Sequence, residues 1–140
     1  MPSVLEQSFA YYARAAKLPP GVSEYRFAAH HVGLGPKLRE RLTAAGLKDW
    51  RLDFAWIFEG VNVELQGGVW TQGRHSRGAG YTGDMEKQNA ATLLGWRGLF
   101  FTSEMLKRDP LGCMEKVAIL LGGLSGKEAI IRSVQPARHE

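Results

Sequence analysis

A single cysteine in 140 residues leaves Cys113 without an internal partner, so no disulfide frames the fold. No cationic-then-apolar leader opens the chain, and no apolar run is long enough to span a bilayer, which points to a soluble, cytoplasmic protein without a membrane partner. Neither HExxH nor CxxC occurs. His30 and His31 stand without acidic or cysteine partners at a zinc-ligand spacing, which argues against structural zinc. GLGPK and LGGLSGK do not satisfy GxxxxGK[ST] between strand and helix, so phosphate loops of that type are also excluded. Repeats and linkers are missing too, leaving one α/β domain over residues 1–140, with a tail from about 135 expected to be mobile.

Apolar residues make up 44% of the chain, enough for a core, and the formal net charge is +4 with a pI near 9.4. That balance suits a polyanionic partner, and it equally suits an ordinary basic enzyme. Residues 3–17 carry Leu5, Phe9, Tyr12 and Ala16 at helical spacing behind Ser3, a natural N-cap. EYRFAA (24–29) reads as a short strand. A basic helix is expected to begin at Pro36 and to stop at Gly46, carrying Lys37, Arg39 and Arg41. WRLDFAWI (50–57) and VNVELQ (61–66) read as a hairpin turning at Phe58 and Glu59. After a glycine-rich polar stretch, DMEKQNAATLLG reads as a helix and WRGLFFTS (96–103) as a buried strand, together forming a right-handed parallel crossover. LGCMEKVAILL reads as the last helix, and KEAIIRSV as helix or strand. Trp56, Trp70 and Trp96 suit a core better than base stacking, with Trp70 the most open of the three.

Alternation gives each hairpin strand one polar face, carrying Asp53 on the first and Asn62, Glu64 and Gln66 on the second. A turn centred between Phe58 and Glu59 sets Asp53 opposite Glu64, with Cβ atoms roughly 4.5–5.5 Å apart. Two carboxylates that close repel unless a proton or a cation joins them. A hard divalent ion with oxygen ligands is the simplest partner. The plainer reading is a solvated pair screened by Arg51 or Lys48.

WRLDFAW, VNVELQGGVW and DMEKQNAATLLGWRGLFFT resemble the PD-(D/E)xK, or restriction-endonuclease-like, nuclease superfamily, nearest its small phage-type and very-short-patch-repair-like members. The likeness covers roughly residues 3–106 and lies in an RxDF strand, an acid-containing strand ending in glycine, a helix and a GWxxxxF strand, in that order. It implies a central mixed sheet with an antiparallel hairpin and a parallel βαβ crossover, flanked by helices, in a bacterial or phage-encoded protein. It implies Asp53 and Glu64 as metal-binding acids, with the main-chain carbonyl of Leu65, for Mg²⁺ or Mn²⁺. Gln66 stands where the family has its lysine; an amide can hold a water but brings no charge. Lys87, on the following helix beside Ala90, Ala91 and Leu94, is the expected substitute, the alternative being a solvated lysine paired with Asp84. Glu6 is a further metal-ligand candidate by likeness, or simply an acid favoured at a helix N-terminus. Glu24 has a weaker claim.

Arg74, His75 and Arg77 follow the acids on a polar loop and, with Lys37, Arg39 and Arg41, are the candidate nucleic-acid contacts. The expected activity is metal-dependent hydrolysis of DNA phosphodiesters, selective for branched or nicked structure, Holliday junctions included, since few base-reading features are visible. A homodimer would suit a branched substrate. The alternative is a DNA-binding module that kept the fold and lost catalytic power with the lysine. A basic protein-binding adaptor leaves the paired acids without a task.

Overall fold

The computed structural model describes residues 2–67 and 79–122. The chain runs α1 (Val4–Ala15), β1 (Val22–Tyr25), α2 (Phe27–Val32), α3 (Leu38–Ala44), β2 (Leu52–Trp56), β3 (Val61–Gln66), α4 (Ala79–Leu93), β4 (Arg97–Thr102), α5 (Ser103–Arg108) and α6 (Pro110–Leu120). The strands form one open mixed sheet in the order β1-β2-β3-β4. β1 and β2, then β2 and β3, pair antiparallel, whereas β3 and β4 run parallel with α4 as the crossover. The protein is therefore a mixed α/β fold with helices on both faces of the sheet. Among the described residues no helix is long and apolar enough to cross a membrane.

One core joins the sheet to α1, α5 and α6 through Phe9, Phe54, Trp56, Val61, Val63, Phe101, Leu106, Cys113, Met114 and Val117. Phe9 is fully buried with its ring 4.8 Å from that of Phe54. A side chain of that size contributes roughly 2–3 kcal/mol by leaving water. The second core, under α2, α3 and α4, gathers Phe27, Ala28, Leu42, Leu52, Ala55 and Ala91. Trp56 belongs to the first core, and its indole Nε1 donates to the Pro19 carbonyl at 2.8 Å.

Four expectations need correction. EYRFAA is not one strand: β1 ends at Tyr25, and Phe27, Ala28 and Ala29 are consecutively buried on α2. Burial of three successive residues fits a short helix wedged between layers better than a strand with alternating faces. Arg26 marks the change of direction, held by both oxygens of Asp49 at 3.1 and 2.6 Å. The basic helix begins at Leu38, because Lys37 at φ 59° stands in the left-handed region ahead of it. The strand at 96–103 is not buried; among the described strands it lies at the sheet edge, and within it only Phe101 is fully enclosed. α4 also starts earlier than its sequence suggests, since Gly80 and Gly83 weaken the helical signal there without preventing a helix. The segment KEAIIRSV and the C-terminal tail lie outside the described residues.

Candidate functional site

The hairpin turns at residues 57–60, and Phe54 pairs with Val63, Ala55 with Asn62 and Trp56 with Val61. Continued by one step, that register sets Asp53 against Glu64. On the other side, the pairs Ser23 with Phe54 and Tyr25 with Leu52 bracket Glu24, which therefore stands across from Asp53. Three carboxylates thus lie in a row on three adjacent strands. Glu24 does so at φ 55°, a conformation costing a non-glycine residue about 1–2 kcal/mol.

The inner part of this row is a closed hydrogen-bonded network. The Asp53 amide donates to Glu64 Oε2 at 3.1 Å, and the Leu65 amide donates to Asp53 Oδ2 at 2.8 Å. Lys87 reaches down from α4 and donates to Glu64 Oε1 at 2.7 Å. Asn62, almost fully buried, directs its Nδ2 at Glu64 Oε2 at 3.4 Å. Burial first of all pushes the Glu64 carboxyl above the usual range; the Lys87 ammonium pulls it back and the Asp53 charge adds to the rise. Asp53 is raised as well, chiefly by burial, against the Leu65 amide and the Lys87 charge, which lower it.

The outer part is an acidic cluster. Glu6 comes from the first turn of α1, where the capping box holds it: its amide donates to Ser3 Oγ at 3.0 Å. One carboxylate oxygen from each of Glu6, Glu24 and Asp53 lies within 4.8 Å of the others. Burial, followed by the charges of Asp53 and Glu24, raises the Glu6 carboxyl. Three anionic oxygen donors at this spacing could hold a metal ion. Arg51 lies 3.9 Å from Glu24, too exposed to offset the cluster by much.

Asp53, Glu64, Glu24, Glu6 and Lys87 are therefore brought together, while the plainer readings of four of them fare differently. The two strand acids are not a solvated pair, since α4 covers Glu64, which is 3% exposed. Lys87 pairs with Glu64 rather than Asp84. Glu6 serves both the helix end and the cluster. Leu65 contributes its amide to Asp53. Gln66 ends β3, half-buried and in register with Thr102.

The basic candidates divide. Lys37 and Arg39 are exposed on and just before α3. Arg41 is not free for phosphate: its guanidinium donates to the carbonyls of Val32, Gly33 and Pro36 at 2.9, 2.6 and 3.0 Å, closing the C-terminal end of α2. Arg74, His75, Arg77 and Trp70 lie outside the described residues. His30 belongs to α2 and stacks on Tyr25 with ring centroids 4.8 Å apart.

Asn62 stands on the polar face of β3, and no motif in the sequence gives it a role at the site. Its signal was available: an amide between two valines at a strand centre, on the same face as Glu64. Scans against protein-family models, curated proteins and solved structures found no match to this chain.

Proposed function

We propose that the chain is a metal-dependent nuclease of restriction-endonuclease-like type, acting on the phosphodiester backbone of DNA. The observation that carries this reading is the placement of Lys87, which brings a cation to the acids from a different element where Gln66 leaves the family's lysine position uncharged. Asp53 stands at the junction of both groups, with Glu6 and Glu24 on its open side and the Glu64–Lys87 pair behind it.

Glu6, Glu24 and Asp53 would hold the ion, Mg²⁺ or Mn²⁺. When bound, such an ion polarises a phosphate oxygen and lowers the pKa of a water at the same centre. Lys87 would stabilise negative charge developing on the phosphate, and the Leu65 amide keeps Asp53 in place for its role. Lys37 and Arg39 would hold the DNA backbone by charge, and with few base-reading groups in view, a branch or a nick is a better substrate than a defined sequence. A homodimer would present two such sites to a junction.

The test is cleavage of plasmid, linear duplex and four-way-junction DNA with Mg²⁺, Mn²⁺ or EDTA, beside the Asp53→Asn protein. Metal-dependent cleavage by the wild type alone is expected, with a loss of at least about a hundredfold in the variant. Cleavage in EDTA, or cleavage surviving in Asp53→Asn, would overturn the reading. Binding by both proteins without cleavage would favour the DNA-binding module that has lost catalysis.

A further inference from the structure

The family likeness hands Glu64 to the metal, but its surroundings assign it a different task. Three donors already meet its two oxygens: the Lys87 ammonium, the Asp53 amide and the Asn62 amide. A carboxylate offers about four acceptor sites, so little capacity remains. The pair is also enclosed, with side-chain exposures of 4% for Glu64 and 16% for Lys87. A divalent ion taking Glu64 would strand the ammonium in that enclosure, and an unpaired buried charge is strongly unfavourable.

Asp53 contrasts with it. Among the described residues only its Oδ2 is engaged, by the Leu65 amide, and the carboxylates whose oxygens converge with those of Asp53 are Glu6 and Glu24. Among the described residues Glu64 is outside that convergence. The arrangement behind Glu64 is built to keep it where it is. Asn62 packs on Gly98 of β4, where an added Cβ would come within 3.2 Å of both its amide atoms. A larger residue at 98 would push away the amide that faces Glu64 Oε2.

We propose that Glu64 is a positioning residue: it holds and aims the Lys87 ammonium, while Glu6, Glu24 and Asp53 carry the cation in front of it. This rests on the metal-dependent reading above and departs from the family assignment of Glu64. The ion and the ammonium then occupy separate carboxylates and act together, with Asp53 between them.

The experiment measures Mn²⁺ binding by calorimetry for the wild type, Asp53→Asn, Glu24→Gln and Glu64→Gln, and in parallel the rate at which an amine-acylating reagent labels Lys87, read by peptide mass spectrometry. Asp53→Asn and Glu24→Gln are expected to weaken Mn²⁺ binding by at least about tenfold, and Glu64→Gln by less than about threefold, because only the first two remove a donor to the ion. Labelling of Lys87 is expected to rise several-fold in Glu64→Gln and to stay unchanged when Mn²⁺ is added to the wild type. Mn²⁺ loss in Glu64→Gln as deep as in Asp53→Asn would overturn the proposal. So would faster Lys87 labelling of the wild type in Mn²⁺, a measurement that needs no variant to fold. A wild type that binds no Mn²⁺ at all would instead bring down the metal-dependent reading itself.

Discussion

Lys87 joins the chemistry of the site to its stability. Replacing it with methionine leaves Glu64 buried without its counter-charge, a change that typically costs about 3–5 kcal/mol when the remaining group stays ionised. Glu64 can escape part of that by taking a proton. Lys87→Met should therefore lose stability at neutral pH and regain much of it in acid, which denaturant melts at several pH values would show. Asp53→Asn works the other way. Burial and the nearby acids raise the Asp53 carboxyl, so its charge burdens the metal-free fold. In EDTA at neutral pH the variant should be more stable than the wild type by roughly 1 kcal/mol, the usual trade between stability and an active arrangement. A variant less stable than the wild type would show that the Leu65 hydrogen bond outweighs the repulsion.

At the scale of elements, β1 carries a left-handed residue and β4 a close approach beside the acids. Glu24 holds its left-handed backbone within a strand. Glu24→Gly should relieve about 1–2 kcal/mol of that strain and lose about 0.5–1 kcal/mol to the freer unfolded chain, for a small net gain in thermal stability. A net loss would mean that the Glu24 side chain stabilises the strand despite its conformation. On β4, Gly98→Ala should destabilise by about 1–3 kcal/mol, since the new methyl would crowd the buried Asn62 amide at 3.2 Å and the paired strands leave little room to shift. A melting curve indistinguishable from that of the wild type would show that Asn62 can yield. The α1 capping box adds a further link. Glu6 is at once the residue that closes the helix end and a member of the acidic cluster, so cluster geometry depends on where α1 begins.

For the whole molecule, the raised carboxyls of Glu6, Asp53 and Glu64 set the sign of the pH dependence. A carboxyl whose folded-state pKa is raised binds its proton more tightly in the folded chain than in the unfolded one. Its contribution is complete below the ordinary carboxylate value and is lost as pH rises through the raised value. Asp49, lowered chiefly by its hydrogen bonds from Arg26, acts in the opposite sense, but it is solvent-accessible and weakly weighted. Metal-free stability should therefore fall as pH climbs from the ordinary carboxylate range toward neutrality. A saturating divalent ion should reverse the loss: at a hundred times Kd, linkage supplies about 2.7 kcal/mol, or roughly 5–10 °C in Tm for a chain of this size. Scanning calorimetry with and without Mn²⁺ across that pH range checks both statements. A Tm indifferent to Mn²⁺ at neutral pH would count against a folded cation site.

Much of this was legible in the chain itself. Strand alternation and a turn at Phe58 and Glu59 were enough to set Asp53 against Glu64, because a two-residue period and a short hairpin leave one register. The helix after the hairpin and the parallel return of β4 followed from the order of apolar segments. Local pattern could not determine the partners of the polar groups. That Lys87 meets Glu64, that Glu6 arrives from α1 beside Glu24, and that Arg41 closes the end of α2 depend on how distant segments stack. The strand expected through Phe27 and the burial expected of β4 failed for the same reason, since layer packing and edge position are properties of the assembled sheet. Periodicity reports which face of an element turns inward; only the tertiary structure decides what it meets there.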